Sequence, residues 1–205
     1  MSEDTAVHIV DDDASVLRAL ERLLRAAGYD SRTYSSATEF LQAERPEGPS
    51  CLVLDVDMPE MTGLDLQAEL NAKGKDLPII FITGYGDIPT SVRAMKAGAV
   101  DFLPKPFTDE QLLEAVETAL RRDATNRNER QKRRALEERL ERLTKREQQV
   151  MALVVTGRLN KQIATELGIK EKTVKIHRGR VMDKLEVGSL AELVRLATRA
   201  GLVPG

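Results

Sequence analysis

Short segments of strand character alternate with longer amphipathic segments through the first 120 residues. The strand predictions fall at residues 7–10, 30–34, 51–54, 77–83 and 100–103. The unbroken apolar run 51–54 is typical of a central parallel strand, which is buried on both faces. Between the strands, apolar residues recur at helical spacing, and glycines such as Gly28 and Gly98 close the helices. Five strand–helix units predict an α/β fold with a five-stranded parallel sheet in the order 2-1-3-4-5.

The pattern changes after residue 120. Residues 121–143 are densely charged and contain no Pro or Gly, which favours a charged helical linker. The spacing of Leu136, Leu140 and Leu143 leaves two interpretations open, a solvated connecting helix and a short dimerising coil. From Thr144 onward the pattern predicts four short helices, with Asn160 as the cap of the second, and Gly168 breaks the chain between the second and third. A helix, a tight glycine-containing turn and a helix form the helix-turn-helix pattern.

These changes predict three segments, with boundaries at 1–122, 123–142 and 143–205. Residues 1–120 carry 10 Lys and Arg against 22 Asp and Glu, a formal charge of −12, and residues 121–205 carry 21 against 11, or +10. A basic second half indicates a polyanionic partner such as nucleic acid, the alternative being a merely solvated basic surface.

The single cysteine, Cys51, excludes an internal disulfide. Without an apolar run long enough for a membrane span or signal segment, we expect a cytoplasmic protein with no membrane partner.

Carboxylates follow two strands that neighbour each other in the predicted sheet. Asp11 and Asp12 come after the first strand, and Asp55 ends the third. Their mutual repulsion favours a bound cation, and Mg²⁺ prefers such oxygen ligands. Thr83 and Lys105 end the fourth and fifth strands at the same sheet edge. A hydroxyl and an ammonium facing a metal-bound carboxylate suit an aspartyl phosphate.

The first segment resembles the receiver domain of two-component response regulators, an α/β flavodoxin-like fold. The matching residues are Val10-Asp11-Asp12, Leu54-Asp55, Met58-Pro59, Gly63, Ile82-Thr83-Gly84, Ala94 to Ala99, Asp101-Phe102 and Pro104-Lys105-Pro106. The resemblance implies that a sensor histidine kinase phosphorylates Asp55. It also implies a cis peptide bond between Lys105 and Pro106.

Further roles are implied by the same resemblance. Asp11, Asp12, Asp55 and the backbone carbonyl of Asp57 would bind Mg²⁺. Thr83 and Lys105 would hold the phosphoryl oxygens. Phe102 would turn inward when Thr83 moves. Two interpretations of the Asp57 side chain stay open: it affects the lifetime of the phosphoryl group, or it is merely a neighbouring carboxylate.

Neighbouring positions are assigned structural or shielding roles. Asp13 is expected to cap the following helix or to be solvated. Tyr85 either shields the site or is an ordinary loop residue.

The third of the later helices has two different faces. Val174, Val181 and Leu185 form a core stripe at helical spacing. The opposite face carries basic residues, a glycine and an isoleucine: Lys172, Lys175, Ile176, Gly179 and Arg180. Lysines can meet phosphates or guanine edges, and Ile176 can touch a thymine methyl group. His177 lies at the core margin, where we expect a packed, hydrogen-bonded side chain rather than a metal ligand.

Residues 140–205 resemble the LuxR-type output domain of the NarL/FixJ class, and details of the first segment favour the FixJ branch. The matching residues are Leu143 to Glu147, Val150, Gly157, Asn160 to Ala164, Leu167-Gly168-Ile169, Thr173-Val174-Lys175, His177-Arg178 and Lys184-Leu185. The resemblance implies that 171–185 is a recognition helix, and adds Thr173 and Arg178 to the DNA-contacting residues. It also implies a dimer contact on the fourth helix. Lys170 stands where the family often has a capping Ser, which predicts a weaker cap.

The function that these patterns predict is a DNA-binding transcriptional regulator, an activator, controlled by phosphorylation of Asp55. Its predicted partners are a sensor histidine kinase, promoter half-sites on double-stranded DNA, a second copy after phosphorylation, and RNA polymerase. Two alternatives remain open at this point. One is a phosphate-switched interaction protein that acts on proteins only, and the other is a Mg²⁺-dependent phosphatase, which the lack of a second catalytic set disfavours.

Overall fold

The computed structural model describes residues 5–44, 48–84 and 88–202. The chain forms two compact units, Met1–Arg127 and Asn128–Gly205.

A five-stranded parallel sheet forms the centre of the first unit. Its strands are β1 Ala6–Val10, β2 Asp30–Tyr34, β3 Ser50–Asp55, β4 Ile79–Thr83 and β5 Asp101–Pro104. Their order, β2-β1-β3-β4-β5, confirms the predicted topology. The fourth strand begins at Ile79 rather than Leu77, because Pro78 has no N–H to donate, although its carbonyl accepts from the Leu52 N–H at 2.9 Å.

Helices pack on both faces of this sheet. They are α1 Ala14–Ala26, α2 Ala37–Gln42, α3 Gly63–Ala72, α4 Ile88–Lys96 and α5 Asp109–Glu141. One apolar cluster, around Phe40, Leu54 and Phe81, joins the sheet to α2, α3 and α4. The other, around Val53 and Leu112, joins it to α1 and α5. Since β1, β3 and β4 are buried along their whole length, polar side chains at their ends are held in fixed positions.

The fifth helix continues without a break through the charged segment, as 33 residues from Asp109 to Glu141. Its first turns beyond residue 122 pack on the first unit. Asp123 is 1% exposed and accepts hydrogen bonds from the Ser50 N–H at 2.8 Å and from Arg127 Nε at 2.6 Å. Asn126 Nδ2 donates to Asp76 at 3.1 Å. The start of the predicted linker is therefore part of the first unit.

Short helices around one apolar core make up the second unit. They are α6 Lys145–Val154, α7 Asn160–Leu167, α8 Glu171–Leu185 and α9 Leu190–Arg199, and they pack with the end of α5. The fully buried side chains of this core include Val150, Ile163, Val174 and Leu185. Gly168 ends α7 with a φ of 63°, a left-handed conformation that a glycine adopts at little cost. The α7–turn–α8 pair is the predicted helix-turn-helix.

Three local expectations in the second unit have different outcomes. Asn160 is the first residue of α7 and does not cap it; Leu159 precedes the helix, and its N–H donates to Gln162 Oε1 at 2.8 Å. Lys170 precedes α8 without a side-chain capping bond, as predicted. His177 is half-buried, as expected of a packed side chain, and its Nδ1 has no hydrogen-bond partner within the described residues.

A buried carboxylate ties the start of α6 to the end of α8. Glu147 is 2% exposed, accepts from the Thr144 N–H at 2.9 Å, and pairs with Lys184 Nζ at 2.7 Å. Lys184 Nζ also donates to the Arg142 carbonyl at 3.0 Å. The hydrogen bond from Lys184, followed by the one from the Thr144 backbone, lowers the pKa of Glu147. Thr144 and Glu147 thus form a complete capping box that is charge-assisted.

The lowered pKa makes the second unit sensitive to acid. A depressed carboxyl pKa contributes stability above its unfolded value, near 4.5, which is lost as pH falls through the folded value. Glu147→Gln should therefore lower the free energy of unfolding by about 1–3 kcal/mol at pH 7, and the difference should shrink towards pH 3. Urea unfolding read by amide exchange in α8 measures this. The control is Glu186→Gln, which removes an exposed 2.8 Å pair with Arg139; an equal effect of both variants would contradict the assignment.

Candidate functional site

Two buried carboxylates and an ammonium converge where β1, β3 and β5 end. Asp11 and Asp55 are 1% and 4% exposed, and β1 pairs with β3 so that Val10 lies opposite Leu54. Lys105 Nζ lies 3.0 Å from Asp11 Oδ2 and 2.7 Å from Asp55 Oδ1. The Lys105–Pro106 peptide bond is cis, as predicted. Like charges that would repel are thus held together around one cation.

Backbone groups fix the orientation of both carboxylates. The Asp13 N–H donates to Asp11 Oδ1 at 2.8 Å, and the Asp57 N–H donates to Asp55 Oδ2 at 2.8 Å. Asp13 itself caps α1 by accepting from the Ser15 N–H at 2.7 Å, as predicted. With one oxygen of Asp55 bound to backbone and the other to Lys105, the carboxylate is preorganised before any ligand arrives.

Burial of ionised carboxylates in this site costs free energy. Burial raises the pKa of Asp55, and the hydrogen bond and charge of Lys105 offset this only in part. Burial lowers the pKa of Lys105, but its hydrogen bonds to Asp55 and Asp11 outweigh that effect, so its pKa is raised. At neutral pH the cluster is a carboxylate-rich pocket with one protein cation, which favours a further cation.

Thr83 and Phe102 lie on the β4–β5 side of this pocket. Thr83 is buried, and its hydroxyl donates to Asp57 Oδ2 at 3.3 Å. Phe102 is half-buried, with its ring centroid 6.1 Å from that of Phe81. Gly63 packs directly under the pocket, where any Cβ would clash with the Asp55 backbone carbonyl. Tyr85 lies outside the described residues, so its predicted shielding role has no structural counterpart here.

The donors of the pocket suit Mg²⁺ rather than a softer metal. Asp11 and Asp55 supply carboxylate oxygens, and Mg²⁺ commonly takes one or two carboxylates together with waters and phosphate. Asp12 is exposed at the rim. In the described parts of the chain, no three His, Cys, Asp or Glu side chains form a metal-holding group. Of the predicted Mg²⁺ ligands, the structure brings together the buried carboxylates of Asp11 and Asp55, while the Asp12 side chain is exposed.

The exposed face of α8 is a second candidate site, in the second unit. Lys172, Lys175, Ile176, Gly179 and Arg180 are exposed, and Ile176 remains 47% accessible. Thr173 and Arg178 are half-buried. Space is open around Gly179, because an added Cβ there would meet no atom of the described part of the chain within 4 Å, apart from the backbone of α8 itself. The predicted face thus exists as one continuous surface.

Arg178 has a partner that the sequence pattern does not reveal. Its Nη1 donates to Asn160 Oδ1 on α7 at 2.9 Å. This bond links the two helices of the helix-turn-helix pair and holds the guanidinium in one orientation. The sequence predicts Asn160 as a helix cap, and the only signal for its actual role is its polar character at the start of α7.

Comparison with known proteins decides the family. Residues 7–117 match the response regulator receiver domain, and residues 141–197 match the luxR family of bacterial regulatory proteins. The chain belongs to the two-component response regulators with a LuxR-type DNA-binding domain. The response regulator is thus a transcription regulator, and the phosphatase alternative does not hold, since its relatives are regulators rather than enzymes.

Full-length relatives support this assignment. Nodulation protein W of Bradyrhizobium diazoefficiens is 50% identical over 201 residues, covering 98% of this chain and 88% of the relative. The transcriptional regulatory protein FixJ of Azorhizobium caulinodans is 43% identical, covering 100% and 97%. The solved low-resolution structure of response regulator StyR is 51% identical, with a TM-score of 0.89 over 96% of this chain and 99% of that one. Membership of the NarL/FixJ class is thereby confirmed.

None of the helices in the described residues of the response regulator is long and apolar enough to cross a membrane.

Proposed function

We propose that this response regulator is a transcriptional activator that a sensor histidine kinase switches on by phosphorylating Asp55. One observation carries this proposal. Asp55 is buried beside a second carboxylate, with one of its oxygens 2.7 Å from Lys105 Nζ and the other 2.8 Å from a backbone N–H. A carboxylate held in this way can act as a nucleophile towards a phosphoryl group.

The proposed reaction transfers a phosphoryl group from the kinase to Asp55. An oxygen of Asp55 forms a bond to phosphorus while the bond between phosphorus and the donor group of the kinase breaks, and the donor leaves with its electron pair. Lys105 and the Thr83 hydroxyl then bind the phosphoryl oxygens, which carry the added negative charge. Asp11, Asp12, Asp55 and the carbonyl of Asp57 would hold Mg²⁺, which would supply the remaining charge neutralisation.

The switch would begin at Thr83. Its hydroxyl donates to Asp57 at 3.3 Å, and it must leave that carboxylate to reach a phosphoryl group on Asp55. We propose that Phe102, which is only half-buried, turns inward into the space beside Thr83. Asp57 and a phosphoryl group on Asp55 would compete for the Thr83 hydroxyl. We therefore propose that the Asp57 side chain affects the lifetime of the phosphoryl group. Two discrete packings of one sheet edge are a common form of conformational switch.

The proposed consequence of this repacking on the β4–β5 side of the sheet is homodimerisation after phosphorylation. Helix α4 presents Ile88, Val92 and Met95, which are 78%, 44% and 45% exposed, at a spacing that places them on one face. An exposed apolar stripe of this kind suits a contact with a second copy. The dimer would place two α8 helices on promoter half-sites of double-stranded DNA, from which the activator would recruit RNA polymerase.

The proposed division of labour follows the three predicted segments, a receiver at 1–122, a linker at 123–142 and a helix-turn-helix domain at 143–205, with the start of the linker up to Arg127 packed as part of the receiver. The proposed DNA-contacting residues are Lys172, Thr173, Lys175, Ile176, Arg178, Gly179 and Arg180. Exposure of five of these seven supports the assignment.

Phosphorylation by a small acyl-phosphate donor tests the whole proposal. The full chain is incubated with donor and Mg²⁺, and phosphorylation, oligomeric state and DNA affinity are followed together. The proposal requires all three to rise in parallel. A chain that dimerises and binds DNA equally well without phosphate would reject the switch, and a phosphorylated chain that never binds DNA would favour the interaction-protein alternative.

Two single substitutions on α8 should weaken DNA binding. Lys175→Ala and Arg178→Ala should each weaken DNA binding and reduce the slope of log affinity against log salt by about 0.9 if one phosphate contact is lost. Lys132→Ala, which removes an exposed lysine outside α8, is the control. Unchanged affinity and slope in both α8 variants would count against the groove-reading face.

Gly179→Ala separates stability from DNA binding. Because the added methyl group meets no atom of the described residues within 4 Å outside the backbone of α8 itself, it should stabilise α8 by about 0.5–1 kcal/mol. If the α8 backbone closely approaches a base pair at Gly179, the same methyl group should weaken DNA binding. Thermal unfolding and DNA titration of one variant measure both effects, and a gain in stability without loss of affinity would remove Gly179 from the contact surface.

A further inference from the structure

An open groove runs along the second unit between the end of α5 and helix α9. Its cavity measures about 650 Å³, a volume in the range of binding clefts. One wall is the α5 segment 129–139, which spans about 15 Å, or three helical turns. The other wall is α9 with the turn before it. No residue of the proposed DNA-contacting face of α8 lines the groove.

The floor of this α5–α9 groove is apolar. Leu136 of α5, Val187 of the turn and Leu196 of α9 line it, and all three remain partly accessible. Leu140 and Leu143 pack into the core of the same unit, so Leu136 alone of the three regularly spaced leucines faces the groove. An accessible apolar floor between two helices is the usual receptor for a third amphipathic helix.

The edges of the groove carry positive charge that the unit does not neutralise. Arg139 pairs with Glu186 at 2.8 Å, and Lys132 pairs with Glu129 at 3.0 Å. Three further arginines line the groove and have no ion pair or hydrogen bond within the part of the chain that the structure describes. They are Arg133 on α5 and Arg195 and Arg199 on α9.

A carboxylate also lines the groove, but it is already engaged. Glu192 Oε2 accepts from the Gly188 N–H at 2.7 Å, next to the start of α9. Arg195 and Arg199 are four residues apart and therefore lie on one face of α9. Arg133 lies on α5, which forms the other wall of the groove. Two edges of unneutralised cations thus flank an apolar strip.

We propose that the α5–α9 groove binds an acidic amphipathic helix of a partner protein. Its apolar stripe would cover Leu136, Val187 and Leu196, and its Asp and Glu side chains would pair with Arg133, Arg195 and Arg199. This activity is separate from DNA binding. It gives a DNA-bound regulator a second surface for the proteins that it recruits.

Two other occupants fit the groove less well. Double-stranded DNA would satisfy the arginines but would leave the apolar floor against a charged backbone. A second copy of the groove, related by two-fold symmetry, would bring arginines against arginines. Moreover, Leu190 and Val194 lie on the other side of α9, about 100° or more from Arg195 and Arg199, so a dimer contact there leaves the groove open.

A synthetic peptide probes the site directly. It has about 15 residues, a side-chain bridge that holds it helical, leucines on one face and glutamates on both flanks. Fluorescence anisotropy with the full chain should give a dissociation constant of about 10–100 µM. A matched peptide with glutamine in place of glutamate should bind at least roughly tenfold more weakly.

Charge reversal of the arginines locates the binding. Arg195→Glu with Arg199→Glu, and separately Arg133→Glu on the opposite wall, should each weaken binding of the acidic peptide by roughly tenfold or more. The matched control is Arg18→Glu with Arg22→Glu, an exposed pair at the same spacing on α1 of the first unit. Its affinity for the peptide should equal that of the wild type. Circular dichroism verifies that each variant is folded.

Three results would overturn the proposal. They are no binding of the acidic peptide up to about 1 mM, equal binding by the groove variants and the wild type, and a change in oligomeric state of the Arg195/Arg199 variant without peptide. The last result would assign the groove to contacts between copies of the chain. None of these measurements uses phosphate or DNA, so they do not depend on the switch mechanism.

Discussion

Asp55→Asn is expected to reduce acyl phosphorylation by about two orders of magnitude or more. The amide is nearly the same size as the carboxylate, but it has no anionic oxygen to attack phosphorus. Lys105, now 2.7 Å from a neutral oxygen rather than an anion, keeps only Asp11 as a charged partner. Phosphate-dependent dimerisation and DNA binding should be lost together with the labelling.

The fold should tolerate this substitution, which makes the result interpretable. Burial raises the pKa of Asp55, so its ionised form is disfavoured in the folded state and stability falls as pH rises through that pKa. A neutral residue removes this penalty, and the thermal midpoint of the receiver should not fall at pH 7 without Mg²⁺.

Asp57→Asn is the matched control for Asp55→Asn. It makes the same change in charge two residues away, on a side chain that the proposed chemistry does not use as a nucleophile. Labelling of Asp57→Asn should persist, with an altered phosphoryl lifetime. Retention of full labelling by Asp55→Asn, measured by mass spectrometry of the intact chain, would reject Asp55 as the acceptor.

Asp123→Ala is expected to produce the largest loss of stability in the receiver, about 2–4 kcal/mol. The substitution leaves the buried Ser50 N–H without its 2.8 Å acceptor and removes the charged partner of Arg127 at 2.6 Å. Because Arg127 is about one-third exposed, water compensates part of that second loss. Typical domains are stable by only about 5–15 kcal/mol, so the effect should lower the thermal midpoint by roughly 10 °C.

Glu129→Ala provides the comparison on the same helix. Its carboxylate forms an exposed pair with Lys132 at 3.0 Å, and its removal should cost less than about 1 kcal/mol. Thermal unfolding followed by circular dichroism, together with amide exchange at Ser50, measures both variants. If Asp123→Ala melts like Glu129→Ala, the buried network does not stabilise the receiver as proposed.

Much of this architecture follows from local patterns. The runs 7–10 and 51–54 are apolar on both faces, and such runs form buried parallel strands wherever helices can cover them. Because parallel strands end at a common edge, carboxylates at the ends of β1 and β3 had to meet, and Lys105 at the end of β5 could reach them. Capping residues such as Asp13 and Thr144 were equally recognisable, since they satisfy nearby backbone groups.

Contacts between residues far apart in sequence could not be predicted from these local patterns. Asp123 stands in a run of charges that has the composition of a solvated helix, yet it is buried against Ser50, 73 positions earlier. Asn160 has the character of a helix cap, yet it holds Arg178, and the arginines of the α5–α9 groove have no local signature at all.

The sequence by itself thus determined the sheet order, the converging carboxylates and the helix-turn-helix, because hydrophobic period and strand polarity are local properties. Only the tertiary structure decided which charged side chains are buried, paired or left unneutralised. That outcome depends on which distant surfaces come together, and no periodic pattern along the chain encodes it.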